Sequence, residues 1–173
     1  MLKVLLVNDT NKQVGRLRTA LIQSGCEVVE EVTSALMIPK RVVELKADVV
    51  IIDTESPSRD VLEQICVVTQ DEPRPIVMVS EDTQPAAIKA AIKAGVSAYV
   101  VEDIDAARLS AVLEVAQARF EQDQALMSQI RQAESKLNER KVVERAKGIL
   151  MQLRGMTESE AYHAMRKMAM DRN

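Results

Sequence analysis

The sequence predicts an α/β fold: a five-stranded parallel sheet of the (βα)5 kind, then one long coiled-coil helix, then a small all-α helical tail. Three observations predict it. Five short runs rich in Val, Ile and Leu alternate with four amphipathic stretches as far as Val101. Residues 97–139 hold neither Gly nor Pro and repeat apolar residues at three- and four-residue steps. Residues 139–173 read as a helix, a stop and a second helix, and they carry the basic part of the chain.

The strands are predicted at Lys3–Val7, Glu27–Val32, Ala47–Ile52, Pro75–Val79 and Ser97–Val101. Near-continuous apolar runs of this kind suit strands buried on both faces. Helical patterns occupy Gln13–Ser24, Pro39–Lys46, Val61–Thr69 and Pro85–Ala94. Pro39 and Pro85 suit a first helical turn, where a missing N–H costs nothing. Gly25 and Gly95 stand where helices end. Strict alternation implies a parallel sheet with helices on both faces. Chemistry in such sheets gathers at the carboxyl ends of the strands. Those ends carry Asn8 and Asp9, Asp53, Ser80, and Glu102 with Asp103.

From Asp105 the pattern is helical to about Leu153. Leu113, Ala116, Phe120, Met127, Ile130 and Leu137 form a heptad seam, interrupted by Asp123 and Glu134. At about 1.5 Å per residue, residues 105–137 would span roughly 50 Å, more than a small domain. Part of the helix therefore needs a partner, and a parallel homodimer is expected. The plainer alternative is a single helix lying on its own domain.

In the tail, Val142, Val143, Ala146, Ile149, Leu150 and Leu153 share one helical face. Arg140, Lys147 and Arg154 share another, with Glu144, Gly148 and Met151 beside them. Gly155 stands where the helix stops, and Thr157 with Glu160 forms a Thr-x-x-Glu capping box for the next one. That helix is expected to turn Ala161, Tyr162, Ala164, Met165, Met168 and Ala169 inward. Its other face carries His163, Arg166, Lys167 and Met170. Spacing alone supports no more than a dimerisation or docking module.

Charge sharpens the division. Residues 1–138 carry 15 basic and 21 acidic side chains, and residues 139–173 carry 8 and 5. The tail is therefore the polyanion-facing surface. Of the three aromatic residues, Tyr99, Phe120 and Tyr162, only Tyr162 lies there. Charge and hydrogen bonding must then outweigh base stacking in any nucleic-acid contact. No run of apolar residues is long enough to span a membrane, and the N-terminus does not read as a signal peptide. Cys26 and Cys66 read as reduced thiols, and a cytoplasmic location is expected. No Gly-rich phosphate loop is present. His163 is the one histidine, has no metal-ligand cluster around it, and lies in a different module from both cysteines. An enzyme is not expected.

The tail sequence ERAKGILMQLRGMTESEAYHAMRKMAM resembles the ANTAR domain, the RNA-binding module of the AmiR/NasR transcription antiterminators. The likeness runs through Ala146 to Met151, Gly155, Glu160-Ala161-Tyr162 and Arg166. It implies binding to hairpins in mRNA leaders, which prevents termination. RNA contacts are expected from Arg140, Lys147, Arg154 and Arg166, with Gly148 allowing close backbone approach. The family's third helix would begin where Asn173 stands.

Residues 1–118 are similar to the receiver domain of two-component response regulators, a flavodoxin-like fold. That resemblance implies Asp53 as phosphoacceptor candidate, Ser80 as the hydroxyl and Tyr99 as the mobile aromatic residue. It also implies magnesium at an acidic pair after the first strand, here reduced to Asn8 and Asp9, so Asp9 and Asp53 would form a weak metal site. Glu102 stands where the family has a lysine. Two unit charges about 4 Å apart near a surface interact by roughly 4 kcal/mol. Exchanging cation for anion therefore turns attraction of a phosphoryl group into repulsion of that order. The expected plan is a receiver-like domain at 1–118, a long helix at 105–138 overlapping its last helix, and an ANTAR domain at 139–173. This plan is similar to that of antiterminators of nitrate assimilation genes. The expected partners are RNA hairpins, a second copy of the chain and a sensor or repressor protein. Two other readings stay open: a phosphorylation-dependent DNA-binding response regulator, and an adaptor that touches no nucleic acid.

Overall fold

The computed structural model describes residues 1–10, 15–101 and 104–171. The chain divides into two compact units, Met1–Asp123 and Gln124–Asn173. The first holds a parallel sheet of β1 (Lys3–Asp9), β2 (Glu27–Val32), β3 (Val49–Thr54), β4 (Ile76–Ser80) and β5 (Ala98–Val101), in the order β2-β1-β3-β4-β5. Its helices are α1 (Gly15–Gln23), α2 (Ile38–Leu45), α3 (Arg59–Asp71), α4 (Pro85–Ala94) and the first part of α5 (Ala106–Arg154). The α/β reading is borne out. The start expected at Gln13 and the Glu102 position lie outside the described residues.

Alternation along the strands builds the two-sided core. Leu5 and Val7 of β1 join Val50 and Ile52 of β3 under α2, α3 and α4, through Val42, Ile65 and Ala91. Val4, Leu6, Val49 and Ile51 face the other way, onto Leu17 and Leu21 of α1 and Leu109, Leu113 and Ala116 of α5. Burying one such aliphatic side chain stabilises by about 1.5–3 kcal/mol, so the central strands hold the unit together. Cys26 belongs to one core layer and Cys66 packs against the other, and both are free thiols.

The long helix departs from the expected dimer seam at its start. Leu113 and Ala116 were expected in a dimer seam. They are buried against the chain's own sheet and are not open to a partner. Phe120 is half-buried and lines a cleft with Val43, Pro73, Pro75 and Gln117 on the first unit. A three- and four-residue repeat records an apolar face but not what covers it. Val115 is exposed on the outer side of this part of α5, and the seam residues Met127, Ile130 and Leu137, with Leu126, are exposed further along.

The second unit comprises the rest of α5 and α6 (Glu158–Asp171). Gly155 follows α5 with φ of 61°, a left-handed turn that other residues adopt only with strain. Thr157 then opens α6 with the capping box read from the sequence. Its N–H donates to the Glu160 carboxylate at 2.8 Å, and the Glu160 N–H donates to the Thr157 hydroxyl at 3.3 Å. The inward face of α6 is narrower than expected. Ala161 is buried and Ala164 and Met165 are half-buried, but Tyr162 and Met168 are each 52 % exposed. Met165 takes the inner position that the sequence reading shared with Tyr162.

Candidate functional site

Two sets of residues bear on function, one in each unit. In the first, parallel register brings the strand ends together: Asn8 lies opposite Asp53, and Thr54 opposite Ser80. Asn8 and Asp53 are half-buried, Asp9 is exposed and Ser80 is buried. The Asn8 side-chain oxygen accepts from the Thr10 N–H at 3.2 Å and from its hydroxyl at 2.8 Å. These bonds tie Thr10 back to the end of β1.

A hydrogen-bond lattice ties the loop after β3 to the loop after β4. The Ser80 hydroxyl donates to the Glu55 carbonyl at 3.0 Å and accepts from the Asp82 N–H at 3.2 Å. The Ser56 hydroxyl donates to the Asp82 carboxylate at 2.5 Å, and the Gln84 N–H donates to the other carboxylate oxygen at 2.9 Å. The Tyr99 hydroxyl donates to the Asp82 carbonyl at 2.8 Å. Asp82 is thus a hub that the sequence reading missed. Its one signal was an aspartate three residues before Pro85, where it can bond its own backbone. The Ser56 hydrogen bond, followed by that of Gln84, holds the Asp82 carboxyl below its usual pKa.

The receiver fold implies magnesium at these strand ends. Hard cations prefer several oxygen ligands, some of them charged. Asn8 offers a neutral amide already bonded to Thr10. Among the described residues no three acidic, His or Cys side chains converge to hold an ion. This donor set does not fit the ion.

In the second unit, the cations are placed differently from one another. Arg140, Arg154 and Arg166 are exposed, as are Lys141, Arg145 and Lys167, and among the described residues none of the six makes an ion pair. Lys147 instead donates to Glu144 at 2.8–2.9 Å and to Glu158 at 2.7 Å, with only 13 % of its side chain exposed. The hydrogen bonds to Glu144 and Glu158 raise its pKa, and the same pairing lowers that of Glu158. Gly148 is half-buried, and a β-carbon there would meet nothing within 4 Å. The fold itself therefore does not demand glycine at that position. His163 is exposed and lies edge-on to the Tyr162 ring, centroids 6.0 Å apart.

Residues 4–114 match the response regulator receiver domain family, and residues 131–173 match the ANTAR domain family. The transcriptional regulatory protein PdtaR of Mycobacterium tuberculosis is 32% identical over 174 aligned positions, covering 98% of this chain and 83% of that protein. The chain belongs to the ANTAR response regulators. The nitrate regulatory protein of Klebsiella oxytoca is 48% identical over 50 residues, which is 29% of this chain and 13% of that protein. Among solved structures, the receiver domain of a modulated diguanylate cyclase from Desulfovibrio desulfuricans superposes with a TM-score of 0.61 at 18% identity, over 70% of this chain and 97% of that one. That likeness shows the fold alone. As an ANTAR response regulator, the chain is a regulatory protein of the antiterminator type. No helix among its described residues is long and apolar enough to cross a membrane.

Proposed function

We propose that this ANTAR response regulator binds hairpins in the leader of a messenger RNA and so prevents transcription from terminating, with genes of nitrate or nitrite assimilation as its targets. The observation that carries the reading is a set of exposed, unpaired cations — Arg140, Arg154 and Arg166 foremost — on the segment that matches the ANTAR family. Hairpin loops offer splayed bases and phosphates together, which suits arginine's flat, forked donors. The partial likeness to the Klebsiella nitrate regulatory protein supports the choice of genes.

The signal enters through a sensor or repressor protein that binds the chain, not through phosphoryl transfer to Asp53. This is motivated by Glu102 in the lysine position and by Asn8, whose amide is bonded to Thr10. Asp53→Asn should then leave antitermination in a reporter strain unchanged. Loss of regulation in that variant, with phosphate incorporated at Asp53 in the parent, would reverse the assignment.

The RNA reading is tested by gel shift. The full chain is offered an RNA pool with two hairpins randomised in their loops, and duplex DNA of equal length. Preferential RNA binding that weakens as salt rises is expected, because each phosphate contact releases counterions. Equal or better binding to DNA would favour the DNA-binding regulator, and no binding to either would favour an adaptor.

A further inference from the structure

We infer that Lys147 is a positioning residue, clasping α6 onto α5 through Glu144 and Glu158, and that phosphate contacts fall to the unpaired arginines around it. The inference rests on the RNA reading above and departs from it in the role given to one residue. Position on the helical wheel places Lys147 in one stripe with Arg140 and Arg154, seven residues on either side. The structure separates it from them. Its ammonium lies within 2.7–2.9 Å of two carboxylates, while the two arginines are exposed and have no ion-pair partner among the described residues. An ammonium between two carboxylates presents a net negative field to an approaching phosphate. To meet RNA it would have to abandon both partners.

The two carboxylates differ in what they fix. Glu144 lies three residues back on the same helix, so its pair adds only local support. Glu158 lies eleven residues ahead, beyond Gly155 and in the first turn of α6. The Lys147–Glu158 bond is therefore a tie across the turn. It works beside the buried Ala161, which lies three residues further along α6. Ala161 is small and Ala164 and Met165 are only half-buried, so packing restrains the rotation of α6 weakly and the clasp adds to that restraint. Arg166 rides on α6 about two turns beyond Glu158, so its presentation depends on that rotation.

The test uses the full chain and the tightest-binding member of the two-hairpin RNA pool. Affinity is measured at several salt concentrations for the parent, Lys147→Met, Glu158→Gln and the exchanged pair Lys147→Glu with Glu158→Lys. Hydrogen exchange of the α6 amides is followed in the same four proteins. Both single variants should lose affinity to a similar extent, with the salt slope unchanged and exchange in α6 faster. The exchanged pair should recover both properties. The outcome that overturns the inference is a split between the singles. Glu158→Gln would bind as well as the parent or better, and Lys147→Met alone would lose affinity with its salt slope reduced by about 0.7–0.9, one phosphate contact. If the parent binds no RNA, the RNA reading fails by itself. The clasp is then judged on exchange, and unchanged α6 exchange in Lys147→Met would refute it.

Discussion

At Gly95 the backbone has φ of 115°, and a β-carbon there would lie 2.5 Å from the Thr69 hydroxyl. That hydroxyl donates to the Ile65 carbonyl at 2.8 Å, so it cannot turn aside without losing its bond. Left-handed backbone alone costs a non-glycine residue about 1–2 kcal/mol. Gly95→Ala should therefore lower the stability of the first unit by at least that much in a denaturant titration. A Cm equal to the parent's would contradict the geometry. Thr157→Ala removes the acceptor of the Glu160 N–H at the start of α6 and should cost about 1 kcal/mol of helix stability, read as faster amide exchange in residues 158–161. The clasp has a pH window of its own. The pKa of Glu158 is lowered from its usual 4.5, so its contribution is present above that value and is lost as pH falls through the depressed one. That of Lys147 is raised from 10.5, so its contribution is present below that value and is lost as pH climbs through the elevated one. Protection of α6 should hold across neutral pH and fail at both ends. A protection profile that is flat into the acid range would argue against the pairing. Gly155 and the capping box were legible in the sequence because their chemistry is local. Lys147 was not, because its partner stands eleven residues away across a turn. Asp82 was missed because its bonds to Ser56 and Tyr99 reach another loop and another strand, which no spacing rule records.

At the scale of elements, α5 is one continuous helix whose apolar residues do two jobs. Leu109, Leu113 and Ala116 complete the core under the sheet, where the Asp105 side chain caps the helix by accepting from the Arg108 N–H at 2.8 Å. Further along, Met127, Ile130 and Leu137 are exposed, Leu137 by 58 %. A repeat of one period covers both parts, so the sequence located the apolar face but could not divide it between core and surface. The exposed part is where a second copy would pair, the parallel homodimer we propose. Ile130→Asp should shift the protein towards monomer in sedimentation velocity while leaving the thermal unfolding of the first unit unchanged. Dimer mass retained in that variant would move the interface elsewhere. The strands were the most legible elements of all. Continuous Val, Ile and Leu runs separated by helical patterns admit few arrangements other than a parallel sheet, and the five found lie within two residues of the expected bounds.

For the molecule as a whole, a receiver fold precedes an ANTAR segment in one chain. We read the first as the place where a protein partner delivers the signal and the second as the place where RNA is met. The division of charge supports this reading, with acidic excess in residues 1–138 and basic excess in 139–173. In the reading we propose, the homodimer sets two ANTAR segments side by side and so holds one transcript with two hairpins. This reading is tested most directly by light scattering of the purified chain with and without an RNA carrying two hairpins. The account predicts a particle of twice 19.2 kDa alone, and the same two chains plus one RNA when mixed. A mass of 19.2 kDa that RNA does not change would contradict it.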